Sequence, residues 1–142
     1  MKCITYNGGY KYQLIKDYTE VIDIIPTAPV STEYITLDLA GNLTILEGYA
    51  WDGPSGPTID TLTFMRGSLV HDALYQLMRE KFLDPETTKD QADRILQRIC
   101  IEDGMWRLRA WWVYQGVRLF AKHAADPASR RPPTVAPEGC QP

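Results

Sequence analysis

Residues 48–59 read Gly48-Tyr49-Ala50-Trp51-Asp52-Gly53-Pro54-Ser55-Gly56-Pro57-Thr58-Ile59, and residues 60–79 continue as DTLTFMRGSLVHDALYQLMR. The first dozen hold three Gly and two Pro. That density fixes a tight path and turns backbone amides and carbonyls toward a partner. A bare connection between elements needs less punctuation, so the stretch is expected to be a functional loop. Beyond it, Leu69, Val70, Ala73, Leu74, Leu77 and Met78 recur at helical spacing and predict an amphipathic helix over 63–82. His71, Tyr75 and Met78 follow one edge of the apolar stripe. Asp72, Gln76 and Arg79 follow the next line, toward the polar side.

Working outward toward the N-terminus, residues 10–15 and 21–25 are rich in aromatic and β-branched side chains, which favour strands. Pro26 and Pro29 interrupt them. Residues 34–39 alternate polar Thr36 and Asp38 with apolar neighbours, Ala40-Gly41-Asn42 is turn chemistry, and 43–46 runs back. This predicts a hairpin within a small antiparallel sheet.

Toward the C-terminus, a second helix starts at Asp84-Pro85-Glu86 or at Thr88, which forms a capping box with Gln91. Ala92, Ile95, Leu96, Ile99 and Cys100 make its apolar face, with Asp93 beside it, and Asp103-Gly104 stops it. A third helix is expected over 106–123. Its Trp106, Trp111 and Trp112 lie beside Arg107, Arg109, Arg118 and Lys122, a pattern that suits a lipid interface. A broad core helix with snorkelling cations accounts for the same residues and is the expected arrangement. From 126 onward Pro, Ser and Arg dominate without periodicity. The expectation is a single α+β domain over 1–125, a small N-terminal antiparallel β-sheet followed by three packed α-helices, with a disordered Pro-rich tail over 126–142.

The 142 residues suffice for one domain with a core, and the net charge of -3 argues against nucleic acid as a partner. No apolar run is long enough to span a bilayer. The start, M-K-C-I-T-Y-N-G-G, lacks the apolar region of a signal peptide, so synthesis in a host cytoplasm is expected. Cys3, Cys100 and Cys140 form neither a disulfide framework nor a zinc pattern. With His71 and His123 the only histidines, a zinc peptidase or a histidine-rich metal phosphohydrolase is excluded. Ser55 and Ser68 are the candidates for a Ser-His-Asp hydrolase, but neither sits in a Gly-x-Ser-x-Gly elbow.

The chemistry-bearing residues are His71, Tyr75 and Asp93. A carboxylate close to a core is costly unless it is hydrogen-bonded. Antiparallel packing of the first two helices would let Asp93 accept a hydrogen bond from His71 and orient the imidazole as a general base. Asp72 would point the other way, toward the Gly/Pro loop. A carboxylate beside converging backbone carbonyls is how proteins hold calcium.

Tyr49-Ala50-Trp51-Asp52-Gly53, Gly56-Pro57, His71-Asp72-x-x-Tyr75 and Ala92-Asp93 together resemble the phospholipase A2 pattern. Tyr49 to His71 and His71 to Asp93 are each 22 residues apart, spacing similar to the compact, disulfide-free viral form. The resemblance implies His71, Asp93 and Tyr75 as catalytic residues. It also implies a calcium ion held by Asp72 and by carbonyls near Tyr49, Trp51 and Gly53. Trp51 stands where that family's loop has its first Gly, so either Asp52 and Ser55 lend side-chain oxygens instead or the loop binds no calcium. The implied reaction is attack of water on the sn-2 ester of a phospholipid, with a membrane surface as partner.

The chain also resembles a phage-encoded family with a strand-rich N-terminal part, a Thr-Asp-x-Ala-Ser-x-Pro type loop and a His-Asp-x-Leu-Tyr helix. Helices with Ala-Asp and with Arg and Tyr then follow. The matching residues are Trp51 to Pro57, His71 to Tyr75, Ala92-Asp93 and Arg109 to Arg118. This implies a virus or prophage origin. It leaves open a non-enzymatic tail or baseplate accessory whose partners are other virion proteins.

Overall fold

The computed structural model describes residues 2–7, 12–52 and 62–120. Seven short strands come first: β1 (Tyr6–Asn7), β2 (Tyr12–Leu14), β3 (Tyr18–Val21), β4 (Val30–Ser31), β5 (Ile35–Leu37), β6 (Asn42–Ile45) and β7 (Ala50–Trp51). Three helices follow, α1 (Leu62–Arg79), α2 (Pro85–Glu102) and α3 (Arg107–Phe120), so the class is α+β. The strands form two antiparallel sheets rather than one, β1-β2-β7 and β3-β6-β5-β4.

The β5–β6 hairpin is where the alternation placed it. Ile35, Leu37, Leu43 and Ile45 are fully buried on one face. The Asp38 carboxylate closes the turn by accepting from the backbone N–H groups of Ala40 and Asn42, each at 2.9 Å. Gly41 has φ +84, and a Cβ there would lie 2.3 Å from the Ile22 carbonyl oxygen, so only Gly fits.

Two strand expectations are corrected. The strand expected over 21–25 lies earlier, at Tyr18–Val21. Its ladder with β6 ends at Val21↔Asn42, where β6 begins, so Ile22 and Ile24 keep the buried alternation without a strand partner. The stretch read wholly as loop begins with β7, whose Trp51 pairs with Tyr12. Residues 53–61, including Gly53 and Ser55, and the tail over 126–142 lie outside the described residues.

Both sheets pack against α1 and α2. Leu69, Val70, Ala73, Leu74, Leu77 and Met78 share one buried cluster with the strand residues and with Ala92, Ile95 and Ile99 of α2. A smaller cluster joins Phe64, Leu96, Cys100, Met105 and Ala110, and Cys100 is core as expected. After α1 the chain turns through Lys81, at φ 67. Asp84 caps α2 by accepting from the Glu86 N–H at 3.1 Å, with Pro85 in the first turn. Thr88 is therefore inside the helix and not its cap. The two helices meet closely at Gly67, where a Cβ would lie 2.8 Å from Leu96 Cδ1 and 3.0 Å from Cys100 Sγ.

The third helix departs from the core-helix expectation. Ala110 and Tyr114 are buried, but Trp106, Leu108, Trp111 and Trp112 are 81%, 66%, 47% and 64% exposed. The helix packs on one side only, so the broad apolar coverage read from its sequence wraps onto a face that no described element covers.

Candidate functional site

His71 and Tyr75 are one turn apart on α1 and face the same neighbour. Their rings stack at a tilt with centroids 4.2 Å apart. Asp93, from the second turn of α2 onward the first acid on that helix's buried side, is fully buried between them. His71 Nε2 lies 2.7 Å from Asp93 Oδ1, and the Tyr75 hydroxyl donates to the same oxygen at 2.6 Å. Asp93 Oδ2 is buried and has no hydrogen-bond partner among the described residues. With Nε2 donating to the carboxylate, a neutral His71 carries its lone pair on Nδ1. That nitrogen is 3.8 Å from Asp72 Oδ1, beyond direct hydrogen-bond reach.

The electrostatics follow from burial and charge. Burial pulls His71 down, but the carboxylates of Asp72 and Asp93 outweigh it and hold the imidazole above its ordinary value. Burial pushes the Asp72 carboxyl up, against the opposing pull of His71 and Arg79. The Tyr49 phenol is raised by burial and then by the negative charge of Asp72. Burial also raises Tyr75, and its bond to Asp93 adds to the effect.

Of the residues expected to hold calcium, Asp72 is one-third exposed at the edge of the site. Asp52 is exposed and close enough to act electrostatically on both Asp72 and Tyr49. The Tyr49 carbonyl accepts the Leu14 N–H at 2.8 Å in the β ladder. Trp51 turns its ring inward, where Nε1 donates to Ser68 Oγ at 3.1 Å and the ring packs against Tyr6 and Tyr12. Among the described residues no group of three or more acids, histidines or cysteines is arranged to hold a metal ion. Asp72 and Asp52 alone fall short of the six to eight oxygens that calcium takes. Ser68 is committed to structure, because its hydroxyl donates to the Met65 carbonyl at 2.8 Å.

A second buried cluster escaped the sequence reading. Arg66, one turn before His71 on α1, is 3% exposed, and Glu20 on β3 is fully buried. Arg66 Nη1 donates to Glu20 Oε2 at 3.0 Å and to the Tyr18 hydroxyl at 2.8 Å. Its Nε and Nη2 reach Asp103, and Nη2 also reaches Glu102 at 2.8 Å. Tyr18 donates to Glu20 Oε2, and Lys2 donates to Glu20 Oε1 at 2.9 Å. Burial pushes Glu20 up, yet the donors Tyr18 and Lys2, with the Lys2 and Arg66 charges, leave it below its ordinary value. The signal was present in the strand pattern. Glu20 sits in phase with Tyr18 and Ile22, on the inward side of an alternating run.

Among the described residues no helix is long and apolar enough to cross a membrane. No family model matches this sequence, and no curated protein or solved structure shows significant similarity to it.

Proposed function

We propose that this chain is a phage or prophage ester hydrolase of the phospholipase A2-like kind, in which His71 is the general base. The observation that supports it most is the clamped imidazole. Asp93 holds Nε2 at 2.7 Å and is itself held by Tyr75 on the same oxygen, so the ring has a fixed tautomer and a basic Nδ1. In the proposed reaction Nδ1 takes a proton from a water, and the water oxygen bonds to the ester carbonyl carbon. The tetrahedral adduct then expels the alcohol oxygen, which takes the proton back from His71. The products are a carboxylic acid and an alcohol. A bound calcium ion would supply Lewis-acid stabilisation of the oxyanion. Asp72 and Asp52 would supply two of its oxygen ligands, and no step above runs through the ion. The viral origin is supported by the sequence resemblance alone.

The test is fatty-acid release from phospholipid vesicles, with and without calcium. His71→Gln is expected to lower release by roughly 10²–10⁴-fold, the usual worth of a general base. Unchanged release would remove His71 from the mechanism. Calcium binding at Asp72 predicts a melting temperature that climbs through millimolar calcium, since saturation at about a hundred times the dissociation constant adds ~2.7 kcal/mol. A flat melting temperature would remove the ion.

One observation favours a second reading. His71 is only 6% exposed and Asp93 not at all, which suits a polar pin between two helices of a non-enzymatic tail or baseplate accessory. In that case the unaltered protein releases no fatty acid under any condition, and His71→Gln changes stability alone.

A further inference from the structure

We propose that the outward face of α3 is a docking surface for an anionic lipid bilayer. The inference goes beyond ester hydrolysis and holds for a non-enzymatic protein as well, because it stands on α3 and not on His71.

The helix is divided cleanly by its own periodicity. Ala110, Val113 and Tyr114, at i, i+3 and i+4, face inward, with Ala110 and Tyr114 buried and Val113 half-buried. The Tyr114 hydroxyl bonds Asp90 of α2 at 2.5 Å, and the Arg94 guanidinium lies 5.7 Å from the Tyr114 ring, so the inner face is pinned. Leu108, Trp111 and Trp112 repeat the same spacing on the opposite face, 47% exposed or more. Trp106, just ahead of the helix, is 81% exposed, and Leu62 at the start of α1 is exposed as well. Arg107 and Arg109 are both exposed. At a hundred degrees per residue they fall on the two flanks of the Leu108-Trp111-Trp112 stripe.

Charge decides what this surface meets. Residues 106–125 contain Arg107, Arg109, Arg118 and Lys122 and no Asp or Glu, in a chain whose net charge is -3. A symmetric contact with a second copy would set the exposed Arg107 and Arg109 of one copy against a face that carries the same two cations and no acid on this helix to pair them. An anionic headgroup layer neutralises both flanks at once, while Trp and Leu enter the boundary between headgroups and acyl chains. At 14 residues the helix is too short to span a bilayer, so it lies on the surface rather than through it.

The experiment uses the full chain and two vesicle compositions, phosphatidylcholine alone and phosphatidylcholine mixed with phosphatidylglycerol. Expected are co-sedimentation with the anionic vesicles, a blue shift of tryptophan emission on binding, and weaker binding at high salt. The double variant Trp111→Ala/Trp112→Ala should bind at least about tenfold more weakly to the same vesicles. Arg107→Gln/Arg109→Gln should lose roughly tenfold on anionic vesicles and little on neutral ones. These side chains are exposed, so the melting temperature of both variants should match the parent and exclude unfolding as the cause. His71→Gln should bind vesicles like the parent, which separates failure of this surface from failure of the hydrolase reading. The proposal is overturned if the full chain ignores anionic vesicles, or if both double variants bind them unchanged. It is equally overturned if the tryptophan shift appears without lipid and tracks dimer formation in sedimentation velocity.

Discussion

Helix α1 carries two buried polar groups little more than a turn apart, and the protein finishes them differently. Around Arg66 every strong donor meets an acceptor, with Glu20, Glu102 and Asp103 supplying carboxylates from three directions. Around His71 both donors crowd onto one oxygen of Asp93, and among the described residues the second oxygen has no partner and Nδ1 has only Asp72, at 3.8 Å. A saturated cluster ties elements together and has nothing left to offer a ligand. An unsaturated one keeps lone pairs in hand, which is how a site for proton transfer differs from a buried tie.

The largest expected effect tests the saturated side. Arg66→Met removes the buried cation of Glu20. It leaves that carboxylate, among the described residues, only the cations Lys2 at 2.9 Å and Arg98 at 3.5 Å, both on its other oxygen, and should cost about 3–5 kcal/mol in urea unfolding. Asp93→Asn at the unsaturated site should cost only ~1–3 kcal/mol, because a neutral amide still fills the space and still accepts. Its loss of fatty-acid release should be far larger than that stability change implies. Equal destabilisation by the two variants, with no effect on release, would erase the contrast.

The smallest effect is the pH dependence, which has opposite sign at the two clusters. Glu20 and Glu102 sit below their ordinary value of 4.5, so their contribution is present above that pH and fades as acid protonates them. His71 sits above its ordinary 6.5, so its contribution is full below 6.5 and fades as pH rises through the raised value. Each site alone gives a slope of at most about 1.4 kcal/mol per pH unit. His71→Gln should flatten the alkaline limb of a stability-against-pH curve and leave the acid limb intact. If His71 is the general base proposed above, fatty-acid release needs the neutral ring and should rise across the same alkaline window in which stability falls.

What could be read from the sequence tracks how local the cause is. The three helices follow from apolar spacing, and the Asp84-Pro85 start of α2 follows from cap chemistry. The meeting of His71, Tyr75 and Asp93 was legible because each sits at the edge of an apolar stripe on one of two adjoining helices. β1, β4 and β7 were not legible, since a two-residue strand has no period and exists only through its partner. The Arg66 cluster depends on residues 46 and 36 positions away, Glu20 and Glu102, which no window along the chain connects. α3 was misjudged because width of apolar coverage does not say whether a second layer exists to cover it.

Gly67 has a consequence for the imidazole one turn above it. Its missing side chain lets the backbones of α1 and α2 close to near contact, and that approach is what allows so short a ring as imidazole to touch so short an arm as aspartate. A Cβ at 67 would meet Leu96 Cδ1 at 2.8 Å and Cys100 Sγ at 3.0 Å, so crowding there begins among the side chains of α2 one turn below the pair. Repacking around 67 would thus reach the His71–Asp93 contact through Leu96 and Cys100, with both polar residues left in place.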